Sequence, residues 1–229
     1  IFDDQHSDEE LEFYESEALR YYSNIVASFS TFVLKALDKL AALDIKCIAP
    51  SHSLIWRSHP DRISSLYKRF AGYNTGGECE KEICIIWGSM YGYTKQGLDA
   101  VIKGIEAEQV PYTIHDIPDT DVSYILGDAY KAAGLVLAMP TYEYKMFPPM
   151  AYVLDLFERK HITDKTVLRI GNWGWSGGAK KEYEQKTAAL KWNHLEQYEW
   201  QGKLLDADIR LLEERGAELA RMVKTGVQA

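Results

Sequence analysis

From residue 83 onward the chain alternates between short apolar runs and longer amphipathic stretches. Ile83-Cys84-Ile85-Ile86-Trp87 is unbroken by polar residues, the pattern of a strand covered on both faces. Leu98, Val101, Ile102 and Ile105 then recur at i, i+3, i+4, i+7, the stripe of a core-facing helix. The same alternation continues through a strand at Tyr112-Thr113-Ile114, a helix near Asp121 to Lys131 and a strand at Leu135-Val136-Leu137-Ala138-Met139. Pro148 opens another helix, since a proline at the first helical position loses no hydrogen bond. Thr166-Val167-Leu168-Arg169-Ile170 predicts a fourth strand, Ala179 starts a helix, and residues 190–200 carry a weaker fifth strand. Ile209, Leu212, Leu219 and Met222 mark a final helix. Strands that alternate with helices in this way predict an α/β fold with an open, doubly wound, five-stranded parallel sheet and right-handed crossovers.

The first 70 residues follow another rhythm. Ser7 with Glu10 forms a capping-box signature, followed by Leu11, Tyr14, Ala18, Tyr21 and Ile25 at helical spacing. A second helix is predicted from about Thr31, with Val33, Ala36, Leu37 and Leu40 on one face. Ile45-Lys46-Cys47-Ile48-Ala49 reads as a short buried strand stopped by Pro50. One strand makes no sheet, so this segment is expected to pack on strands supplied elsewhere. Gly72, Asn74, Thr75, Gly76 and Gly77 lack periodicity, which puts a linker at 71–80 between a domain at 1–70 and another at 81–229.

Composition narrows the function. A net charge of −8 provides no basic face for nucleic acid. Eight acids and no Lys or Arg between Asp3 and Glu17 read as a solvated helix face. Every apolar run is far shorter than the roughly 20 residues a bilayer requires. Three cysteines, with no CxxC pair, imply a reducing, cytoplasmic setting. The chain opens on Ile1 rather than Met, which reads as a processed chain or a piece of a longer one.

Open parallel sheets bind ligands beyond the carboxyl ends of their strands. Three unusual loops fall there. Ser89-Met90-Tyr91-Gly92-Tyr93-Thr94 follows the first strand and leads into a helix, a combination of turn amides, hydroxyls and helix N-terminus that suits an anion. It is neither GxGxxG nor GxxxxGK[ST], which disfavours a dinucleotide or a triphosphate and favours a single monophosphate. Pro140-Thr141-Tyr142-Glu143-Tyr144 follows the third strand and offers two tyrosines to a planar ligand. Gly171-Asn172-Trp173-Gly174-Trp175-Ser176-Gly177-Gly178 concentrates glycine and tryptophan at a backbone-entropy cost that a purely structural loop rarely needs. A phosphate hole between aromatic walls fits flavin mononucleotide (FMN), with candidate binding residues Ser89, Met90, Tyr91, Gly92, Tyr93, Thr94, Pro140, Thr141, Tyr142, Glu143, Tyr144, Asn172, Trp173, Gly174, Trp175, Ser176 and Gly177.

Residues 81–222 resemble a flavodoxin domain, and SMYGYT, PTYEYKMFPPM and GNWGWSGGA resemble the phosphate and ring loops of the flavodiiron proteins. Tyr91 stands where the short flavodoxin loop usually has its middle Ser or Thr. DIKCIAPSHSLIWRSHPDRI resembles the end of the β-lactamase-like domain of that family, so the first 70 residues are expected to be an incomplete β-lactamase-like αβ segment. The resemblance implies that His52, the histidine of the APSH turn, is a ligand of a non-haem di-iron centre. Ser53 occupies a position that is usually glycine in the family. The family's other iron ligands, including an H-x-E-x-D-H motif, have no match in this chain. The remaining ligands are therefore expected in an N-terminal part, either removed or carried by a separate polypeptide. No catalytic residue is assigned in this chain.

The resemblance implies an oxidoreductase that passes electrons from a reduced donor through FMN to di-iron, reducing dioxygen to water or nitric oxide to nitrous oxide. It also implies a head-to-tail homo-oligomer and a donor that is a rubredoxin-like protein or a reduced deazaflavin coenzyme. The alternatives are a flavodoxin-like FMN electron carrier without its own catalysis, for which residues 1–70 are dispensable, and an FMN-dependent quinone reductase, which leaves the APSH segment unexplained.

Overall fold

A computed structural model describes residues 1–226 and resolves two compact units, Ile1–Glu78 and the chain from Cys79 onward.

The first unit is mainly helical. The capping box forms as expected: Ser7 Oγ accepts the Glu10 amide and the Glu10 carboxylate accepts the Ser7 amide at 2.8 Å, opening helix α1 (Asp8–Tyr21). The predicted stripe does not stay α-helical through Ile25. Tyr22–Val26 form one π turn and Ala27–Phe29 one 3-10 turn, turning buried Tyr22 onto Tyr67 and Phe70 before α2 (Ser30–Leu40) begins. Helix α3 (Pro60–Gly72) was not anticipated from the sequence, although Pro60 occupies a preferred helix-start position. It extends into the expected linker.

The strand expected at Ile45–Ala49 does not form. Only Ile48 pairs, in an isolated antiparallel bridge to Trp56, and Phe2 bridges Ile55 in parallel. Without a neighbouring sheet the backbone groups of 45–47 have no ladder to join. The cluster of Leu11, Leu54 and Trp56 anchors this region. Buried Asp3 holds the turn before α3 by accepting the amides of Arg57 (2.9 Å), Ser58 (3.2 Å) and His59 (2.8 Å).

The second unit is the predicted doubly wound α/β fold. Its strands are β1 (Glu80–Trp87), β2 (Tyr112–Asp116), β3 (Ala132–Ala138), the short β4 (Thr141–Tyr142) and β5 (Lys145–Met146), then β6 (Thr166–Trp173), β7 (Asn193–His194) and β8 (Tyr198–Gln201). The main sheet has the order β2-β1-β3-β6-β7, all parallel. The fifth position is split: β7 pairs with Thr166 and Val167, whereas β8 pairs with Ile170 to Trp173 further along β6. This interruption explains the weak periodicity of residues 190–200.

Helices α4 (Tyr93–Ala107), α5 (Val122–Lys131), α6 (Pro148–Arg159), α7 (Ala179–Thr187) and α8 (Asp206–Thr225) make the crossovers and the final helix. Ile83 and Ile85 share a core with Leu98, Val101, Ile105, Val136, Leu168, Leu212 and Leu219, so α4 and α8 cover that sheet face. Two glycines permit their close approach. A Cβ on Gly104 would lie 2.0 Å from Glu213 O, and one on Gly216 2.1 Å from Val101 O. The second ligand loop is an unanticipated hairpin in which β4 and β5 pair antiparallel. Its turn residues Glu143 and Tyr144 have φ of 45° and 65°, the left-handed pair a two-residue hairpin requires.

Candidate functional site

Beyond the carboxyl ends of β1, β3 and β6 lies a cavity of about 420 Å³. All three loops reach it. Ser89, Met90, Tyr91 and Tyr93 line it from the first; Pro140, Thr141, Tyr142, Glu143 and Tyr144 from the second; and Asn172, Trp173, Gly174, Trp175 and Ser176 from the third. Gly92, Thr94 and Gly177 do not line it. Gly92, at φ 83°, caps α4 and donates its amide to Ser89 Oγ at 2.9 Å. Thr94 is fully buried, and its hydroxyl donates to Asn172 Oδ1 at 2.8 Å. This bond ties the first loop to the third.

The walls are held by bonds from outside the loops. Met146 N donates to Glu182 Oε2 at 2.7 Å, fixing the hairpin against α7. Gln201 Nε2 donates to Gly174 O at 2.8 Å, and Gly202 N to Trp173 O at 2.9 Å, fixing the third loop to the end of β8. Gly202 itself lines the cavity, an addition the sequence reading missed. Its signal was a glycine closing an aromatic strand, Tyr198-Glu199-Trp200-Gln201-Gly202, and its φ of 64° fits a turn. Below the third loop, fully buried Arg169 forms an ion pair with Glu199 at 2.6 Å, joining β6 to β8. A buried arginine without that carboxylate would be an uncompensated charge.

The rim is aromatic and open. Trp175 is wholly exposed, and Tyr91 and Tyr144 are 84% and 77% exposed. Large apolar rings left in water at a concave site favour a planar aromatic ligand. The N-terminus of α4 adds a positive partial charge at the first loop. A phosphorylated, flat ring compound therefore fits this donor and wall set.

The di-iron reading meets a different result. His52 is exposed, and its ring lies 5.5 Å from that of Tyr21. Among the described residues no group of three or more His, Cys, Asp and Glu side chains is placed to hold a metal. One imidazole does not hold two irons, so the described residues do not form a complete di-iron site. In the turn that presents His52, Ser53 adopts φ 85°, the left-handed conformation that favours glycine.

The sheet order and the cavity at its carboxyl edge define a flavodoxin-like α/β protein. Known proteins carry this further. The chain is 30% identical over 177 residues to a nitric oxide reductase of Moorella thermoacetica, a match spanning 76% of this chain and 43% of that protein. It is 28% identical over 183 residues to the anaerobic nitric oxide reductase flavorubredoxin of Vibrio vulnificus, covering 78% and 36% respectively. Among solved structures, the rubredoxin oxygen:oxidoreductase of Desulfovibrio gigas superposes on all of this chain with a TM-score of 0.89 at 20% identity, using 56% of its own length. The flavodiiron protein of Giardia intestinalis superposes on 98% of it with a TM-score of 0.90 at 20% identity, using 55%. No family model matches. The chain corresponds to the flavodoxin-like C-terminal part of a flavodiiron protein, a family of oxidoreductases. It spans less than half the length of the curated relatives it matches. No helix of the described residues is long and apolar enough to cross a membrane.

Proposed function

We propose that this chain binds FMN in the three-loop cavity and serves as the electron-transfer part of a cytoplasmic flavodiiron oxidoreductase. The supporting observation is the convergence of residues 89–91, 93, 140–144 and 172–176 on one cavity. In this reading the phosphate lies at residues 89–94, where turn amides and the α4 N-terminus favour an anion. The ring lies between the Tyr142–Tyr144 hairpin and the Trp173–Trp175 loop. Bound FMN supplies one- and two-electron redox chemistry. The chain's own residues position the ring, set the polarity around it and keep water from its faces.

His52 would contribute one ligand to a di-iron centre completed by a β-lactamase-like N-terminal part, present as an earlier segment or a separate chain. Such an assembly would reduce dioxygen to water or nitric oxide to nitrous oxide, supplied by a rubredoxin-like protein or a reduced deazaflavin coenzyme. A head-to-tail homo-oligomer would cover the exposed rim of Trp175 and Tyr144.

The test is reconstitution. The purified chain, titrated with FMN, is expected to acquire a protein-bound flavin spectrum with quenched fluorescence at one equivalent. Trp175→Ala is expected to weaken binding and partly restore fluorescence. Absence of any bound flavin would refute the reading. Joined to the β-lactamase-like part, His52→Ala is expected to lower the iron content and leave the flavin content unchanged. Flavin bound with no iron requirement, and unaltered when residues 1–70 are removed, would favour a flavodoxin-like carrier instead.

A further inference from the structure

The amino-terminal edge of the parallel sheet, at the opposite end from the cavity, holds a buried amine against a thiol. Lys165 immediately precedes β6 and is 1% exposed. Its Nζ lies 3.1 Å from Cys79 Sγ and 2.8 Å from the carbonyl oxygen of Tyr130. Cys79 immediately precedes β1, and Tyr130 lies at the end of α5, just ahead of β3. Neither contact of Nζ is a counter-ion. Burial makes the charged form costly; it outweighs the opposing pull of Cys79, Cys84 and the neighbouring Asp164 and lowers the Lys165 pKa, so the reactive neutral amine is more accessible than at the surface. The other cysteines lack this environment: Cys47 is exposed, and Cys84 is fully buried with its thiol pushed up by desolvation. Only half-buried Cys79 combines access for a small oxidant with a nitrogen at hydrogen-bond distance.

We propose that Lys165 and Cys79 are a modification site, joined by oxidation into a reducible Lys–NH–O–S–Cys cross-link. The oxidant is dioxygen. One N–H bond, the S–H bond and the O–O bond break; an N–O bond and an O–S bond form. One oxygen atom enters the bridge, and the other leaves as water with the two released hydrogens. The four electrons that reduce dioxygen come from nitrogen and sulfur, two from each. An interposed oxygen suits the observed geometry because it requires a smaller approach of nitrogen and sulfur from their present 3.1 Å than a direct bond does. A direct N–S bond would have to draw both side chains well inside contact distance. The bridge ties the start of β1 to the start of β6 across β3, and it removes a buried amine from titration. It leaves the cavity residues untouched, so it stands independently of flavin binding.

The experiment compares the full chain kept anaerobic with reductant against the same chain held in air-saturated buffer. The oxidised sample is expected to gain about 14 Da, one oxygen gained and two hydrogens lost, with the peptides bearing Cys79 and Lys165 linked. Thiol reductant is expected to reverse the gain. Alkylation under denaturing conditions is expected to label all three cysteines in the reduced sample and all but Cys79 in the oxidised one. Lys165→Met and Cys79→Ser each abolish the gain, and if either fails to fold, the peptide map of the unaltered chain decides. An unchanged mass, a whole oxygen on Cys79 with Lys165 unmodified, a direct N–S bond, or a disulfide from Cys79 to Cys47 or Cys84 would each overturn the proposal.

Discussion

Gly178→Ala tests how the cavity is assembled. Gly178 caps α7 at φ 161° and ψ −22°. The added Cβ would lie 2.0 Å from Tyr144 O, whereas real Cβ atoms essentially never approach below 3.0 Å. The obstacle is backbone, so the hairpin bearing Tyr142 and Tyr144 must retreat by about 1 Å, the difference of those two distances. Overpacking of this kind costs about 1–3 kcal/mol. If the hairpin forms one wall of the flavin site, most of that cost falls on binding, an increase in the FMN Kd of roughly 5- to 150-fold. Gly174→Ala is the matched control: it lies in the same loop and lines the same cavity, but its Cβ would meet nothing within 4 Å. Fluorescence titration with FMN and thermal melting of both variants provide the measurement. Equal affinity for Gly178→Ala and Gly174→Ala would refute the claim that contact between the second and third loops shapes the site.

Thr94→Val leaves Asn172 Oδ1 without its buried partner, and is expected to destabilise the second unit by about 1–3 kcal/mol in urea unfolding. Ser53→Gly relieves a left-handed backbone and is expected to stabilise the first unit by about 1 kcal/mol, read from that unit's own urea unfolding. Asp3→Asn weakens three amide contacts and is expected to cost on the order of 2 kcal/mol near neutral pH. Burial opposes the Asp3 charge, but the amides of Arg57, His59, Ser58 and Asp4 outweigh it and hold the carboxyl below its ordinary value. Its contribution is therefore present above the unfolded pKa of about 3.9 and lost as pH falls through the lower folded value. The stability gap between the unaltered chain and the Asp3→Asn variant should close in acid; a gap that persists at the lowest pH at which both fold would contradict this assignment.

The parallel sheet was legible because its central strands are buried on both faces, so Ile83–Trp87 and Leu135–Met139 had to be apolar throughout. The three loops were legible because glycine, tyrosine and tryptophan gathered at strand ends are poor choices for a plain turn. The split fifth strand was harder to read, since each half pairs with a different stretch of β6 and neither is long enough to show a period. The strand expected at 45–49 failed for a related reason. A local pattern predicts extended backbone, but strand formation requires a neighbour, and the described residues of the first unit provide only the bridge to Trp56.

The order of strands and helices, their apolar faces and the loop chemistry were written in the sequence, because each depends on neighbours a few residues apart. The roles within the site were decided by the tertiary structure. Whether Thr94 meets a ligand or Asn172, 78 residues away, depends on how β1 and β6 stand on either side of β3. The same holds for Gly202 at the cavity and for Lys165 against Cys79, 86 residues apart. Contacts at that range are set by sheet register and helix packing, which no short window of residues encodes.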